Sequence, residues 1–134
     1  MITNMANLVL ADGLATPGNH TFVPSPQKDN PMRWVEKPGI PLQNRYCDLS
    51  IREPINPADG VYREKVTFQV PLVDVSIPTS PKLVGVNRVS VEFVFHTAAS
   101  AQDKKDLVAF ARNALAVGKT DALGDNIVEG LAAY

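Results

Sequence analysis

Several things are scarce in this sequence of 134 residues, and each shortage excludes something. There is one cysteine, Cys47, so no internal disulfide can form and no disulfide framework supports the fold. Only two histidines are present, His20 and His96, at the ends of different predicted strands, and with one cysteine they give no metal-ligand spacing. No apolar run reaches the roughly 18 residues that suggest a membrane-spanning helix. The start, Met1 to Leu10, lacks the cationic and apolar blocks of a secretory signal, so Met1 or Met5 reads as the start of a protein kept in a reducing cytoplasm. Neither charge dominates: 13 Lys and Arg stand against 14 Asp and Glu, which excludes a basic tail that would gather nucleic acid by charge alone.

Proline, in contrast, is plentiful. Eleven prolines argue against a long helical bundle and for strands joined by rigid loops. Asn7–Ala11 reads as a strand that turns at Asp12-Gly13 and Gly18-Asn19 and returns through Thr21-Phe22-Val23. After a proline-punctuated connection over 24–31, Met32–Glu36 is a short strand. Period-2 alternation then marks strands over 45–53, 61–73 and 87–95. Cys47, Leu49, Ile51, Tyr62, Val66, Phe68, Val70, Val89, Val91, Phe93 and Phe95 fall on one parity. The turn over 56–60 joins the first two strands, and residues 76–87, with Pro78, Ser80, Pro81 and Gly85, read as a loop. Ser100 and Asp103 have capping-box spacing, and Leu107, Val108, Phe110, Ala111, Ala114 and Leu115 recur at helical spacing before a stop at Gly118. Thr120 is placed to cap a second short helix over 121–129.

Strands first and helices last is an α+β order in one domain over 1–134, with hairpin and sheet about 6–96 and helices about 100–130. Such a sheet has one apolar face, and one helix is too narrow to cover it. The missing cover predicts a second copy, hence a homodimer. The other parity carries Asp48, Ser50, Arg52, Arg63, Lys65, Thr67, Gln69, Arg88, Ser90 and Glu92: four cations and two anions. A charged, hydroxyl-rich sheet face can contact RNA phosphates and base edges, although a solvated antiparallel sheet looks the same.

No set of residues assembles into a catalytic centre. Gly118-Lys119-Thr120 is the tail of a phosphate-loop motif, but Asn113 stands where its first glycine belongs. Cys47 alternates with Leu49 and Ile51, as a buried inert thiol does. Asn19-His20-Thr21 matches a glycosylation sequon with no visible secretory route. The sequence therefore predicts no enzyme, no cofactor, no metal, no membrane and no small-molecule substrate.

The order of segments resembles the coat proteins of single-stranded RNA bacteriophages, the levivirus group. The likeness is carried by Asn7-Leu8-Val9-Leu10-Ala11-Asp12-Gly13, by Arg33-Trp34-Val35-Glu36, and by Tyr46 to Arg52 followed by Val66-Thr67-Phe68-Gln69-Val70-Pro71. Val89-Ser90-Val91-Glu92 leading to Thr97-Ala98-Ala99-Ser100, and the terminal Tyr134, complete it. The resemblance implies an N-terminal β-hairpin, a five-stranded antiparallel sheet, and two C-terminal helices packing across the dimer partner. It implies a virion protein, made in the bacterial cytoplasm, whose dimers build an icosahedral shell of the T=3 kind and hold single-stranded genomic RNA on the inner sheet face. It also implies repression of replicase translation through an RNA hairpin. Matched by position, the RNA-facing residues would be Asp48, Ser50, Arg52, Arg63, Lys65, Thr67, Gln69, Arg88 and Ser90, and the loop with Pro78, Ser80, Pro81 and Gly85 would make shell contacts. Arg88 stands where well-studied members have tyrosine, and Asp48, in place of a small neutral residue, is expected to repel phosphate. The alternative from a different class is a cellular RNA-binding regulatory dimer with the same sheet.

Overall fold

A computed structural model describes residues 6–25, 31–54 and 60–130. The expected turn around 56–59, the middle of the connection at 26–30 and the terminal Tyr134 lie outside the described residues. Six strands form one antiparallel sheet in sequence order: β1 (Leu8–Ala11), β2 (Asn19–Pro24), β3 (Met32–Glu36), β4 (Arg45–Arg52), β5 (Val61–Asp74) and β6 (Lys82–His96). The helices α1 (Ala101–Ala114) and α2 (Gly124–Glu129) follow. The expected hairpin is β1–β2. Because β2 also pairs with β3, through Val23↔Val35 and Pro24↔Trp34, the five-stranded sheet β2–β6 shares a strand with it.

The register confirms the parity argument. In an antiparallel ladder, paired residues lie on the same face. One apolar row runs Pro24–Trp34–Cys47–Phe68–Val89 across five strands, and the next runs Met32–Leu49–Val66–Val91. Phe22, Trp34 and Cys47 are buried there, with Leu8, Leu10, Met32, Leu49, Val66 and Phe68 packed around them. Phe22 meets Phe68 edge to face, with centroids 6.3 Å apart. Burial, and secondarily the Asp48 charge, pushes the Cys47 thiol up to about 11, so it stays protonated at neutral pH and acts as a small apolar group.

Two expectations need correction. The loop placed at 76–87 is shorter, because β6 begins at Lys82. Pro78, Ser80 and Pro81 lie in the connection, but Gly85 is a strand residue paired with Leu72. A register shift follows directly at Leu72/Val73, where Val73 pairs with Leu83. The extra residue breaks the alternation that would have betrayed the strand. The second helix is also shorter than 121–129 and is not capped by Thr120. It begins after Leu123, which makes no side-chain cap. The turn before it is fixed by backbone: Leu123 N donates to Ala114 O (2.7 Å), and Gly118, at φ +80°, donates to Asp125 Oδ1 (2.9 Å). Gly124 is buried because a Cβ there would sit 2.2 Å from Ala116 O, so glycine marks a close approach. The start of α1 is as expected: Ser100 Oγ accepts from Asp103 N (3.1 Å), and Asp103 Oδ2 accepts from Ser100 N (2.9 Å).

The apolar face is far from covered. Lys104, near the start of α1, reaches over Tyr62 and Phe95, with its Nζ 5.5 and 5.9 Å from the ring centroids. Among the described residues, neither helix packs extensively on the sheet of its own chain. Val89, Leu107, Phe110, Leu115, Ile127 and Val128 remain exposed. The accessible surface is 10009 Å², whereas a compact 14.5 kDa monomer should expose about 6,900 Å². Covering a surplus of about 3,100 Å² on each chain would bury about 6,200 Å² in a pair, at the upper end of obligate homodimers.

Candidate nucleic-acid interface

The opposite face of the sheet collects the polar side chains predicted for it. Its rows are Arg33–Asp48–Thr67–Ser90, Ser50–Lys65–Glu92, Arg52–Arg63–Val94 and Tyr46–Gln69–Arg88. All nine candidate RNA-facing residues therefore share one surface, because each sits an even number of positions from its neighbours on β4, β5 or β6. Arg63, Lys65, Arg88 and Ser90 are exposed, and Thr67 and Gln69 are half-buried. Thr67 Oγ1 and Ser90 Oγ lie 3.2 Å apart; one donates to the other, which leaves one hydroxyl proton and several lone pairs for a further partner.

The electrostatics differ from the sequence expectation at two places. First, Asp48 is not a free anion. Arg33 clamps it in a bidentate pair, with Nε donating to Oδ1 (2.7 Å) and Nη2 to Oδ2 (2.8 Å). The Asp48 side chain is only 15% exposed, so its charge is neutralised and screened from a ligand. Second, Arg63 is not a free cation. Its Nη1 lies 3.2 Å from Glu92 Oε1 in an exposed pair. Sequence reasoning missed Arg33, which register places beside Asp48, and Tyr46, whose ring lies 4.8 Å below the Arg33 guanidinium carbon. Arg33 alternates with Trp34 in β3, so parity could have found it, but the strand is short.

With Arg33 included, the face holds five cations and two anions. Both anions are occupied by arginines of the same face. Among the described residues no carboxylate pairs with Arg52, Lys65 or Arg88, so these carry the uncompensated positive charge. A surface with three free cations, hydroxyls and an amide suits a polyanion. It offers no nucleophile with a base and no convergent metal ligands among the described residues.

The comparisons agree with this architecture. The levivirus coat protein family model matches residues 3–133. A capsid protein of Pseudomonas phage PRR1 is 32% identical over 114 residues, covering 83% of this chain and 85% of the relative. The virus-like particle of bacteriophage NT-214 superposes with a TM-score of 0.80 at 28% identity, covering 98% of this chain and 100% of that one. That of bacteriophage ESE058 gives 0.82 at 24%, covering 97% and 99%. The match spans hairpin, sheet and helices alike, and the chain belongs to the levivirus coat protein family: it is a structural capsid protein of an RNA phage, a component of the virion and not an enzyme.

Proposed function

We propose that this coat protein assembles through its two faces, the apolar one on a second copy and the polar one on RNA. Two chains would pair with α1 and α2 of each laid over the uncovered sheet of the other, and β6 of each next to its counterpart, joining the two polar faces. Such dimers would form the icosahedral shell, with the connection between β5 and β6, including Pro78, Ser80 and Pro81, at contacts between dimers. Val75 and Ile77 are exposed there, and Leu83 and Val84 are exposed just beyond in β6, as an element awaiting a neighbour would be. Single-stranded genomic RNA would lie on Ser50, Arg52, Arg63, Lys65, Thr67, Gln69, Arg88 and Ser90. Asp48 would take part by holding Arg33.

The observation that carries this reading is the division of one sheet into a face with uncompensated cations and an apolar face that, among the described residues, the helices of its own chain leave largely uncovered. The family match favours the coat role over the cellular regulator, which the same two faces would also serve. A regulatory grip on one RNA hairpin would reuse the polar face. The test is to produce this chain alone in bacterial cytoplasm. Expected are megadalton particles, visible by electron microscopy, whose absorbance ratio shows packaged RNA. A small RNA-free dimer would refute the packaging role.

A further inference from the structure

Away from the polar face, titratable side chains of three strands and of the hairpin turn meet at the turn end of the N-terminal hairpin. His20, on β2, lies between two carboxylates: Nδ1 is 2.7 Å from Glu36 Oε2 on β3, and Nε2 is 2.9 Å from Asp12 Oδ2 just after β1. The other oxygen of Glu36 accepts from Arg45 Nη1 on β4. The other oxygen of Asp12 accepts from the backbone N–H groups of Leu14 and Gly18, both at 3.1 Å, and so closes the turn. The Glu36 side chain is only 11% exposed.

A neutral imidazole carries one N–H, and an ionised carboxylate can only accept. With Asp12 and Glu36 both ionised, a neutral ring would aim a lone pair at an oxygen less than 3 Å away. Only the doubly protonated ring satisfies both sides. His20, Arg45, Asp12 and Glu36 then sum to zero charge, and loss of the ring proton leaves a net negative group around a mostly buried carboxylate. Little backbone holds this end of the hairpin. Among the described residues β1 pairs with β2 alone, and β2 meets β3 at Val23 and Pro24 and through Ser25 N donating to Arg33 O (2.8 Å), all away from His20.

We propose that His20 is a pH-operated latch that fastens the turn of the N-terminal hairpin, residues 11–20, to β3 and β4 while its ring is protonated and releases it when the proton is lost. The direction of titration agrees. The hydrogen bonds with Asp12, then Glu36, raise His20 above its ordinary value near 6.5. The hydrogen bond with His20, then those from Gly18 and Leu14, lower Asp12 below 3.8. For His20, raised in the folded state, the contribution is complete below its ordinary value and is lost as pH rises through the higher folded one. For Asp12, lowered in the folded state, it is present above the ordinary carboxylate value and is lost as pH falls through the lower one. The latch is therefore closed between the lowered Asp12 value and the raised His20 value and opens on either side. The proposal does not depend on the RNA reading; His20, Glu36 and Arg45 share the face of Trp34 and Cys47 that the proposed second copy covers, so the test is made on assembled protein.

The test is hydrogen exchange on the assembled full-length protein at about pH 6 and about pH 9, corrected for intrinsic exchange. Opening of residues 11–20 should rise several-fold at the higher pH, while central β5 amides keep their protection. His20→Gln, which cannot charge, should show open-like exchange at both values. Asp12→Asn, with one carboxylate fewer, should shift the transition to lower pH. Flat protection of residues 11–20 in the parent across that range would overturn the latch. So would a rise in His20→Gln equal to that of the parent, or an Asp12→Asn transition unmoved from the parent's.

Discussion

The free and paired cations of the polar face make a quantitative prediction about salt. RNA binding releases counterions in proportion to the phosphates neutralised, with a log–log slope near −0.7 per contact for single strands. Arg52, Lys65 and Arg88 have no carboxylate partner among the described residues, whereas Arg33 and Arg63 are held by Asp48 and Glu92. Three free cations per chain, doubled in the proposed dimer, give a slope of about −4. Between about 50 and 200 mM salt, affinity for non-specific single-stranded RNA should then fall roughly 300-fold. Lys65→Ala removes two contacts per dimer and should flatten the slope by about 1.4. Arg63→Ala should flatten it by clearly less, because the freed Glu92 was already cancelling that arginine across 3.2 Å. The assay is filter binding of disassembled protein over a salt series, with circular dichroism to confirm that each variant stays folded. Equal slope changes for Lys65→Ala and Arg63→Ala would refute the division into free and paired cations. An unchanged slope for Lys65→Ala would show that RNA does not lie on this face.

Asp48→Asn should break the bidentate pair and lower stability by about 1–3 kcal/mol in urea unfolding, since a charge-assisted bond to a mostly buried carboxylate is lost. Its effect on RNA affinity should be smaller than that of Lys65→Ala, because the charge it removes is already neutralised by Arg33. Phe22→Ala removes a ring 5% exposed that packs edge-on against Phe68, and should cost about 3–5 kcal/mol by the same assay. Gly124→Ala drives a Cβ to 2.2 Å from Ala116 O and should displace α2 from its corner, seen as loss of particles by size exclusion while the sheet's circular dichroism persists.

What the residue order alone determined is the part governed by local periodicity. Alternation in β4, β5 and most of β6 assigned every side chain to a face, because a strand turns its residues to opposite sides with a period of two and burial then sorts them. The Ser100–Asp103 cap located the start of α1 for a similar reason: both partners lie within one turn of chain. The uncovered apolar face was legible too, as a mismatch between sheet width and helix count. Tertiary structure decided whatever depends on register between strands. Arg33 and Asp48 lie 15 positions apart, and His20 and Glu36 lie 16 apart, so nothing in the local pattern announces either contact. The irregularity at Leu72/Val73 hid the first residues of β6, because it interrupts the very alternation by which a strand is recognised. Nothing local marks Gly124, and only the approach of Ala116 O explains why no side chain can stand there. Periodicity fixes which way a side chain faces. Which charge it meets is set by how strands slide past one another, and that is a property of the assembled sheet.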